Sequence, residues 1–269
     1  MTYKNITGNC LDEIKKISQK SVNLVVTSPP YADARKAEYG GPHPDAFVEW
    51  FLPISDAIKD VLKPTGTFVI NIKEKVVNCE RHTYVLELIL AMRKKGWLWT
   101  EEWLWHKRNC FPGKWPNRFR DSWERCLQFN LQKGFKMNQD AVMVPVGDWA
   151  EDRLKNLSDK DKTRDKSASG SAFGKKVENW VGRDMVYPTN VLHLATECGN
   201  RKHSAAFPES LPSFFVKLFS DKDDLVLDPF EGSGTTGVAA TKLGRKYIGI
   251  DLNAEYSEMS RNRIASEVL

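Results

Sequence analysis

Four short apolar runs, each bounded by turn-forming or polar residues, predict buried strands of a parallel sheet. They are residues 22–26, 67–72, 225–227 and 247–250. Between them, apolar residues recur at every third or fourth position over residues 47–61 and 84–95. This spacing predicts helices, the first ended by residues 63–66 and the second by Gly96. Strands that alternate with helices indicate a doubly wound α/β fold.

Two further segments alternate apolar and polar positions with the period of a strand. Residues 97–105 and 122–129 predict an antiparallel pair that closes one edge of the sheet. Four tryptophans of the first segment share one predicted strand face, and packing in a core or an interface explains them better than stacking on bases. These are Trp97, Trp99, Trp103 and Trp105.

Residues 151–176 differ in composition from the rest of the chain, because they contain almost no large apolar side chain. Such a segment cannot pack a core of its own, so we predict an insertion. Two explanations remain open for it: a solvated linker, or a loop that becomes ordered on nucleic acid.

Charge and cysteine content exclude several classes of protein. Lys and Arg number 40 against 35 Asp and Glu, and the net charge of +5 favours polyanionic partners only weakly. No apolar run has the length of a signal peptide core or a membrane span, so we expect a cytoplasmic protein. The five cysteines are scattered without a Cys-x-x-Cys pair, which argues against a disulfide framework and against a metal site.

A glycine-rich segment follows the strand at residues 225–227. Gly232, Gly234 and Gly237 satisfy the pattern G-x-G-x-x-G, and Asp251 ends the next strand, where a carboxylate accepts hydrogen bonds from ribose hydroxyls. A dehydrogenase, a methyltransferase and a structural turn all use such glycines. The spacer of residues 228–231 disfavours a nicotinamide cofactor, because it moves the glycines away from the tight turn.

Asp228 lies at the carboxyl end of a predicted strand, where its carboxylate would suit an ammonium group. S-adenosylmethionine carries both an ammonium group and a ribose. A nucleotide hydrolase is excluded, because no segment supplies G-x-x-x-x-G-K-[ST].

The tripeptide Pro29-Pro30-Tyr31 follows Thr27-Ser28 at the carboxyl end of another predicted strand. In isolation, a Pro-Pro turn with a packed tyrosine explains it. In combination with Asp-Pro-Phe-Glu-Gly-Ser-Gly-Thr-Thr, however, the chain resembles the amino-directed DNA methyltransferases, the N4-cytosine and N6-adenine enzymes of bacterial restriction and modification. The order of the motifs, catalytic first and cofactor last, is similar to the permuted β class.

This resemblance implies an α/β, Rossmann-like fold of S-adenosylmethionine-dependent methyltransferases, circularly permuted, with a mostly parallel sheet, an antiparallel edge and a target-recognition insertion. The implied organisation has a catalytic part at residues 1–130, the insertion at 131–187 and a cofactor-binding part at 188–269. The segment from His203 to Leu211 is similar to the family's HxAxFPxxL motif. At the family's first turn this chain has Asn9 where many members have aspartate.

The chemistry explains why such residues recur. The lone pair of an exocyclic amine is delocalised into its ring, so methylation needs acceptors that draw the amine protons out of the plane. The Ser28 hydroxyl and the Pro29 carbonyl are suited to this, Pro30 stiffens the loop, and Tyr31 offers a face for a flipped base. No cysteine follows a proline, so a C5-cytosine mechanism is not expected.

The remaining site residues are implied by the resemblance or by composition. Lys114, Arg118 and Arg120, on a loop rich in Pro and Gly, are candidates for contacts with DNA phosphates. The resemblance implies that one set of residues binds S-adenosylmethionine. The set is Asn9, Phe207, Pro208, Leu211, Asp228, Pro229, Phe230, Gly232, Gly234, Thr235, Asp251 and Leu252.

Within the family, Ser-Pro-Pro-Tyr usually accompanies cytosine, so we predict N4-methylcytosine in duplex DNA as the product, with N6-adenine as the alternative. RNA or protein methylation and a non-catalytic DNA-binding module are less favoured alternatives. A restriction endonuclease acting on the same site is an expected partner, and we expect association with the nucleoid.

Overall fold

The computed structural model describes residues 2–34, 40–147, 155, 157–158, 182–196 and 207–268. The chain forms two compact units, Met1–Asn138 with Asn190–Leu269, and Gln139–Thr189. The strands are β1 Tyr3–Thr7, β2 Val22–Thr27, β3 Leu62–Ile72, β4 Val76–Val77, β5 Glu80–Arg81, β6 Leu98–Lys107, β7 Lys114–Trp115, β8 Arg118–Phe119, β9 Trp123–Asn130, β10 Val144–Pro145, β11 Met185–Val186, β12 Val191–Leu194, β13 Leu225–Asp228 and β14 Lys246–Asp251. The α-helices are α1 Cys10–Ile14, α2 Pro44–Val61, α3 Tyr84–Lys94, α4 Ser210–Phe219, α5 Thr235–Lys242 and α6 Ala254–Val268.

Eight strands of the larger unit form one sheet in the order β1-β14-β13-β2-β3-β9-β6-β12. All neighbours are parallel except β9, which runs antiparallel to both β3 and β6. The four predicted parallel strands and the α/β fold class are confirmed. The predicted antiparallel pair, β6 with β9, is confirmed, and one strand lies beyond it at the edge of the sheet, the parallel strand β12. This strand has four residues, too few for a readable period.

The predicted helices are present, and the first ends at Val61, just before residues 63–66 as predicted. Residues 63–66 do not form a separate turn between helix and strand, because β3 begins at Leu62, directly after α2. Leu62 pairs with Val22 and Thr67 with Leu24, so residues 63–66 stand opposite Asn23 alone and shift the register of the strand. The second helix ends as predicted, with Gly96 at a φ of +89°.

Helices cover both faces of the sheet. On one face, α2 and α3 contribute Phe47, Phe51 and Tyr84 to a core that also contains Phe68 and Phe129 from the sheet. The helices α4, α5 and α6 pack against one another, α4 against β2 and β3, and α6 against β1. Both faces are therefore buried, as the continuous apolar runs of the central strands require.

A β-bulge separates the four tryptophans that were predicted to share a strand face. Trp99 pairs with Phe129 and Glu101 pairs with Gln128, so Thr100 is the extra residue and the alternation changes face there. Trp97 packs on Phe68 and Phe129, whereas Trp103 packs on Phe214 and Phe215 of α4. The prediction of a common face is wrong, although all but Trp99 are buried.

The smaller unit contains a 3-10 helix, Gln139–Val142, and the antiparallel pair β10–β11. The Tyr187 hydroxyl donates to Asp140 at 2.9 Å, and the Val146 amide donates to the Asp184 carbonyl at 2.9 Å. Apart from residues 155, 157 and 158, the predicted insertion at 151–176 lies outside the described residues.

The direction of the strands determines where a site can form. Seven strands of the sheet have their carboxyl ends on the same side, and only β9 has its amino end there. The helix that follows β2 and the helix that follows β13 lie on opposite faces, although these two strands are neighbours. Ligands of open α/β sheets bind in the crevice at such a switch point.

Candidate active site

A cavity of about 1110 Å³ opens at the carboxyl ends of the parallel strands. Its wall contains residues from both motifs that the sequence analysis singled out, although the two motifs lie far apart in the chain. The wall also contains Asn71 and Lys73 at the end of β3, and Lys107 at the end of β6. The predicted site residues in the wall are Asn9, Ser28, Pro29, Pro30, Tyr31, Phe207, Pro229, Phe230, Gly232, Thr235, Asp251 and Leu252.

Asp228 is not in the cavity wall. Its side chain is 1% exposed, and its oxygens accept hydrogen bonds from Thr27 Oγ1 at 2.6 Å, Thr236 Oγ1 at 2.7 Å and the Phe230 amide at 3.1 Å. Burial raises the pKa of this carboxyl to about 6, against the effect of the hydrogen bonds. The predicted direct contact with an ammonium group is not supported, because Asp228 instead joins β2, the glycine loop and α5.

The glycine loop is compact because two of its glycines adopt the left-handed region. Gly234 has a φ of +77°, and a Cβ on it would lie 2.2 Å from Ser260 Oγ. Gly232 has a φ of +50°, and its amide donates to Asp251 Oδ2 at 3.0 Å. Side chains other than hydrogen are thus disfavoured at both positions, and the loop backbone comes close to the end of β14.

The Asp251 carboxylate lines the cavity and uses only part of its hydrogen-bonding capacity within the protein. Oδ1 accepts from the Asn253 amide at 2.8 Å and Oδ2 accepts from the Gly232 amide, which leaves lone pairs on both oxygens for a diol. Burial raises the pKa of Asp251. Leu252 is 76% exposed beside it, and Phe230 lies in the same wall. An acceptor flanked by apolar surfaces fits the ribose and base of a nucleoside.

Of the other predicted cofactor residues, some line the cavity and others lie outside its wall. Asn9 is exposed at the cavity and caps α1, with Oδ1 accepting from the Leu11 amide at 2.9 Å. Phe207 lines the cavity, whereas Pro208 and Leu211 are buried outside its wall. Residues 203–206 of the HxAxFPxxL segment lie outside the described residues.

The Tyr31 hydroxyl occupies the centre of a hydrogen-bond cluster. It donates to Glu124 Oε2 at 2.6 Å, with Asn71 Oδ1 at 3.1 Å, and it accepts from Ser28 Oγ at 3.3 Å. Burial raises the pKa of Tyr31 well above its ordinary value, and the negative charge of Glu124 is the second cause of this increase. The phenol is therefore neutral and remains a hydrogen-bond donor at physiological pH.

Glu124, Asn71 and Lys107 were missed by the sequence analysis. Glu124 Oε1 accepts from Lys107 Nζ at 2.5 Å, and this ammonium lies 4.9 Å from the centre of the Trp105 ring. The available signal was a row of polar residues, Glu124, Gln128 and Asn130, on one face of a predicted strand. Pattern alone could not place it beside Tyr31, because the placement follows from the sheet order and register.

A second buried acid, Glu231, was also missed. Its Oε2 accepts from Asn5 Nδ2 at 2.6 Å and Ser260 Oγ at 2.8 Å, whereas Oε1 has no hydrogen-bond partner among the described residues. Burial raises the pKa of Glu231 to about 8. A Cβ on Gly249 would lie 1.9 Å from Oε2, so this glycine leaves room for the carboxyl.

The predicted DNA-contacting cations lie on a small hairpin outside the cavity wall. Strands β7 and β8 pair antiparallel, and the Arg118 guanidinium lies 5.2 Å from the centre of the Trp115 ring. Lys114 and Arg120 are exposed. Three aromatic side chains are also exposed in this region, Phe111, Trp115 and Phe119.

Two kinds of feature are absent from the part of the chain that the structure describes. It contains no group of three His, Cys, Asp or Glu side chains that could hold a metal ion. None of its helices is long and apolar enough to cross a membrane.

The sheet, with the glycine loop and the acidic residue at the end of β14, defines the class of S-adenosylmethionine-dependent methyltransferases. Within that class, residues 22–262 match the family N6_N4_Mtase, described as DNA methylase, and the chain belongs to this family. The predictions of a methyltransferase, of S-adenosylmethionine as its cofactor and of DNA as its substrate are confirmed at this level. The dehydrogenase alternative is wrong.

Two relatives illustrate the similarity in sequence. The type II methyltransferase M.PvuII of Proteus hauseri is 30% identical over 280 residues, which cover 95% of this chain and 82% of the relative. The DNA adenine methyltransferase YhdJ of Escherichia coli K12 is 27% identical over 267 residues, covering 96% and 81%.

Solved structures show the same fold. The PvuII DNA methyltransferase, described as cytosine-N4-specific, superposes with a TM-score of 0.71 at 24% identity and covers all of this chain and 92% of its own. The Thermus thermophilus protein TTHA0409 in complex with S-adenosyl-L-methionine has a TM-score of 0.63 at 23% identity, covering 97% and 94%.

Proposed function

We propose that this DNA methyltransferase methylates the exocyclic N4 amine of a flipped cytosine in duplex DNA, as the modification enzyme of a type II restriction and modification system. The observation that carries the proposal is one cavity whose wall contains both the Ser28–Tyr31 loop and the glycine loop with Asp251. The motif order fits the permuted β class, since the catalytic strand β2 precedes the cofactor strand β13. Ser-Pro-Pro-Tyr and the similarity to M.PvuII favour cytosine.

The chain's own residues localise the amine lone pair. Ser28 Oγ and the Pro29 carbonyl accept the two amine protons, and the Tyr31 ring holds the base by stacking. When bound, S-adenosylmethionine would supply an electrophilic methyl carbon with a neutral thioether as its leaving group. The amine nitrogen uses its lone pair for the new bond to carbon and then releases one proton to solvent, so no covalent enzyme intermediate is needed.

We assign the cofactor contacts according to position. Asp251 binds the ribose hydroxyls, Leu252 and Phe230 flank the adenine, and Asn9 uses its remaining oxygen lone pair at the adenine amine. The other wall residues Phe207, Pro229, Gly232 and Thr235 surround the methionine portion. Asp228, Gly234, Pro208 and Leu211 act behind the wall by shaping it.

DNA recognition is assigned to residues outside the cavity. Lys114 and Arg120 contact phosphates, and Arg118 supports the hairpin through Trp115. Base readout belongs to the insertion at residues 131–187, which in the sequence follows the catalytic part and precedes the cofactor-binding part. A restriction endonuclease of the same specificity and a cytoplasmic, nucleoid-associated location complete the proposal.

The similarity to YhdJ favours N6-adenine as a second candidate. Expression in a methylation-deficient bacterial host, followed by digestion of the genomic DNA and mass spectrometry of the nucleosides, distinguishes the two. N4-methylcytosine is expected, and its amount should be lower in cells that express Ser28→Ala at the same level. N6-methyladenine as the main product would refute the cytosine assignment.

A further inference from the structure

We propose that Glu124, acting through Tyr31, fixes the direction of the Ser28 hydroxyl so that its oxygen can only accept a hydrogen bond from the target amine. The inference rests on the proposed role of Ser28. A serine hydroxyl can point either its proton or its lone pairs at a ligand. Only the second orientation draws the amine protons out of the plane, so an enzyme of this kind needs a device that sets it.

Two hydrogen-bond acceptors, Glu124 and Asn71, surround the Tyr31 hydroxyl. Glu124 Oε2 lies 2.6 Å from the Tyr31 oxygen and Asn71 Oδ1 lies 3.1 Å from it. Asn71 is oriented by its own amide nitrogen, which donates to the Arg125 carbonyl at 3.2 Å. Both neighbours therefore present only oxygen lone pairs, and the single phenolic proton is directed to them, closest to Glu124.

The consequence for Ser28 follows from counting protons. With its proton committed, the Tyr31 oxygen can only accept on its remaining side, where Ser28 Oγ lies at 3.3 Å. The serine proton therefore points to Tyr31 and away from the substrate. Ser28 lines the cavity, so its oxygen lone pairs are left for the base amine.

The acceptor end of the chain is held in place by charge. Glu124 is 6% exposed, and its second oxygen accepts from Lys107 Nζ, which itself rests over the Trp105 ring. Because an ammonium can only donate, it cannot reverse the direction of the chain. The order Lys107, Glu124, Tyr31, Ser28 thus defines one polarity.

Tyr31→Phe tests the proposal most directly, since it keeps the stacking ring and removes only the hydroxyl. Methyl transfer to genomic DNA from a methylation-deficient bacterial host is measured in a single turnover with excess enzyme and tritiated S-adenosylmethionine. We expect the rate to fall about tenfold or more. The dissociation constants for S-adenosylmethionine and for the same DNA should stay within about twofold of wild type. Glu124→Gln should lower the rate similarly, because its amide nitrogen competes with Ser28 for the Tyr31 oxygen.

The matched control is Glu74→Gln, a similarly buried acid that is paired with Arg125 at 2.6 Å and does not contact Tyr31 in the structure. Its rate should stay within about threefold of wild type. In the double variant of Tyr31 and Glu124 the loss should be no larger than the greater single loss, because both substitutions break one chain.

Three results would overturn the proposal. They are an unchanged rate in folded Tyr31→Phe, losses that multiply in the double variant, and losses of rate, cofactor affinity and thermal midpoint that move together. If Glu124→Gln does not fold, Tyr31→Phe alone decides. The identity of the methylated base is determined separately, so N6-methyladenine would refute the cytosine assignment and leave this comparison valid.

Discussion

Replacing Glu231 with glutamine should change how the stability of the protein depends on pH. Burial raises the pKa of this carboxyl from 4.5 to about 8, so the folded chain holds a proton that the unfolded chain releases. The stabilisation from that proton is complete below about pH 4.5 and is lost as the pH rises towards 8. At 1.36 kcal/mol for each pH unit, this interval corresponds to at most about 5 kcal/mol.

The glutamine of Glu231→Gln is a neutral mimic of the protonated acid, and its oxygen can still accept from Asn5 and Ser260. The variant therefore lacks the cost of ionising a buried carboxyl. Urea unfolding, followed by tryptophan fluorescence at several values between about pH 5 and 8, gives the free energy of unfolding of both proteins. We expect the free energy of unfolding of the variant, relative to that of wild type, to increase steadily with pH, by several kcal/mol at the upper end of this range.

The comparison isolates Glu231 from the neighbouring acids. Asp228 and Asp251 also have raised pKa values, and they contribute to the pH dependence of both proteins. Because both acids are present in both proteins, the difference at each pH reports chiefly the ionisation of Glu231. Parallel stability curves for the two proteins would refute the assignment of a neutral, buried Glu231.

Three further predictions concern the proposed roles. Ser28→Ala should lower single-turnover methyl transfer about 10²-fold or more with little change in S-adenosylmethionine affinity, and a near-normal rate would remove Ser28 from the mechanism. Asp251→Ala should weaken S-adenosylmethionine binding by about 1.5–3 kcal/mol in calorimetry with little effect on DNA affinity, and unchanged cofactor binding would move the ribose site elsewhere. Replacing both Lys114 and Arg120 with alanine should reduce the slope of log affinity against log salt by about 0.9 for each phosphate that is no longer neutralised, whereas an unchanged slope would contradict those contacts.

The central strands were predictable because each is a continuous apolar run that needs both faces buried. The bulge at Thr100 was not, because Trp99 and Trp103 on either side of it keep the even spacing that a regular strand would also show. The edge strand β12 was missed for lack of length, and it pairs with β6 only in the folded chain.

The motifs predicted the site more completely than the roles inside it. The sequence placed Ser28 and Asp251 at strand ends, and the structure brings both to one cavity. The sequence could not show that the Asp228 carboxylate accepts hydrogen bonds from within the protein, because Thr27 and Thr236 look like ordinary small polar residues. Glu124 became visible only through pairing of strands that are distant in sequence.

The 2.6 Å hydrogen bond between Thr27 and Asp228 has a mechanical consequence. Thr27 immediately precedes Ser28, and Asp228 immediately precedes Pro229, so one buried hydrogen bond anchors both the proposed platform for the acceptor base and the proposed platform for the methyl donor. In-line transfer depends on the alignment of these two platforms to a fraction of an ångström. That alignment is set by neighbouring strands of a rigid sheet before either substrate arrives, and the order in which the chain supplies the two platforms has no influence on it.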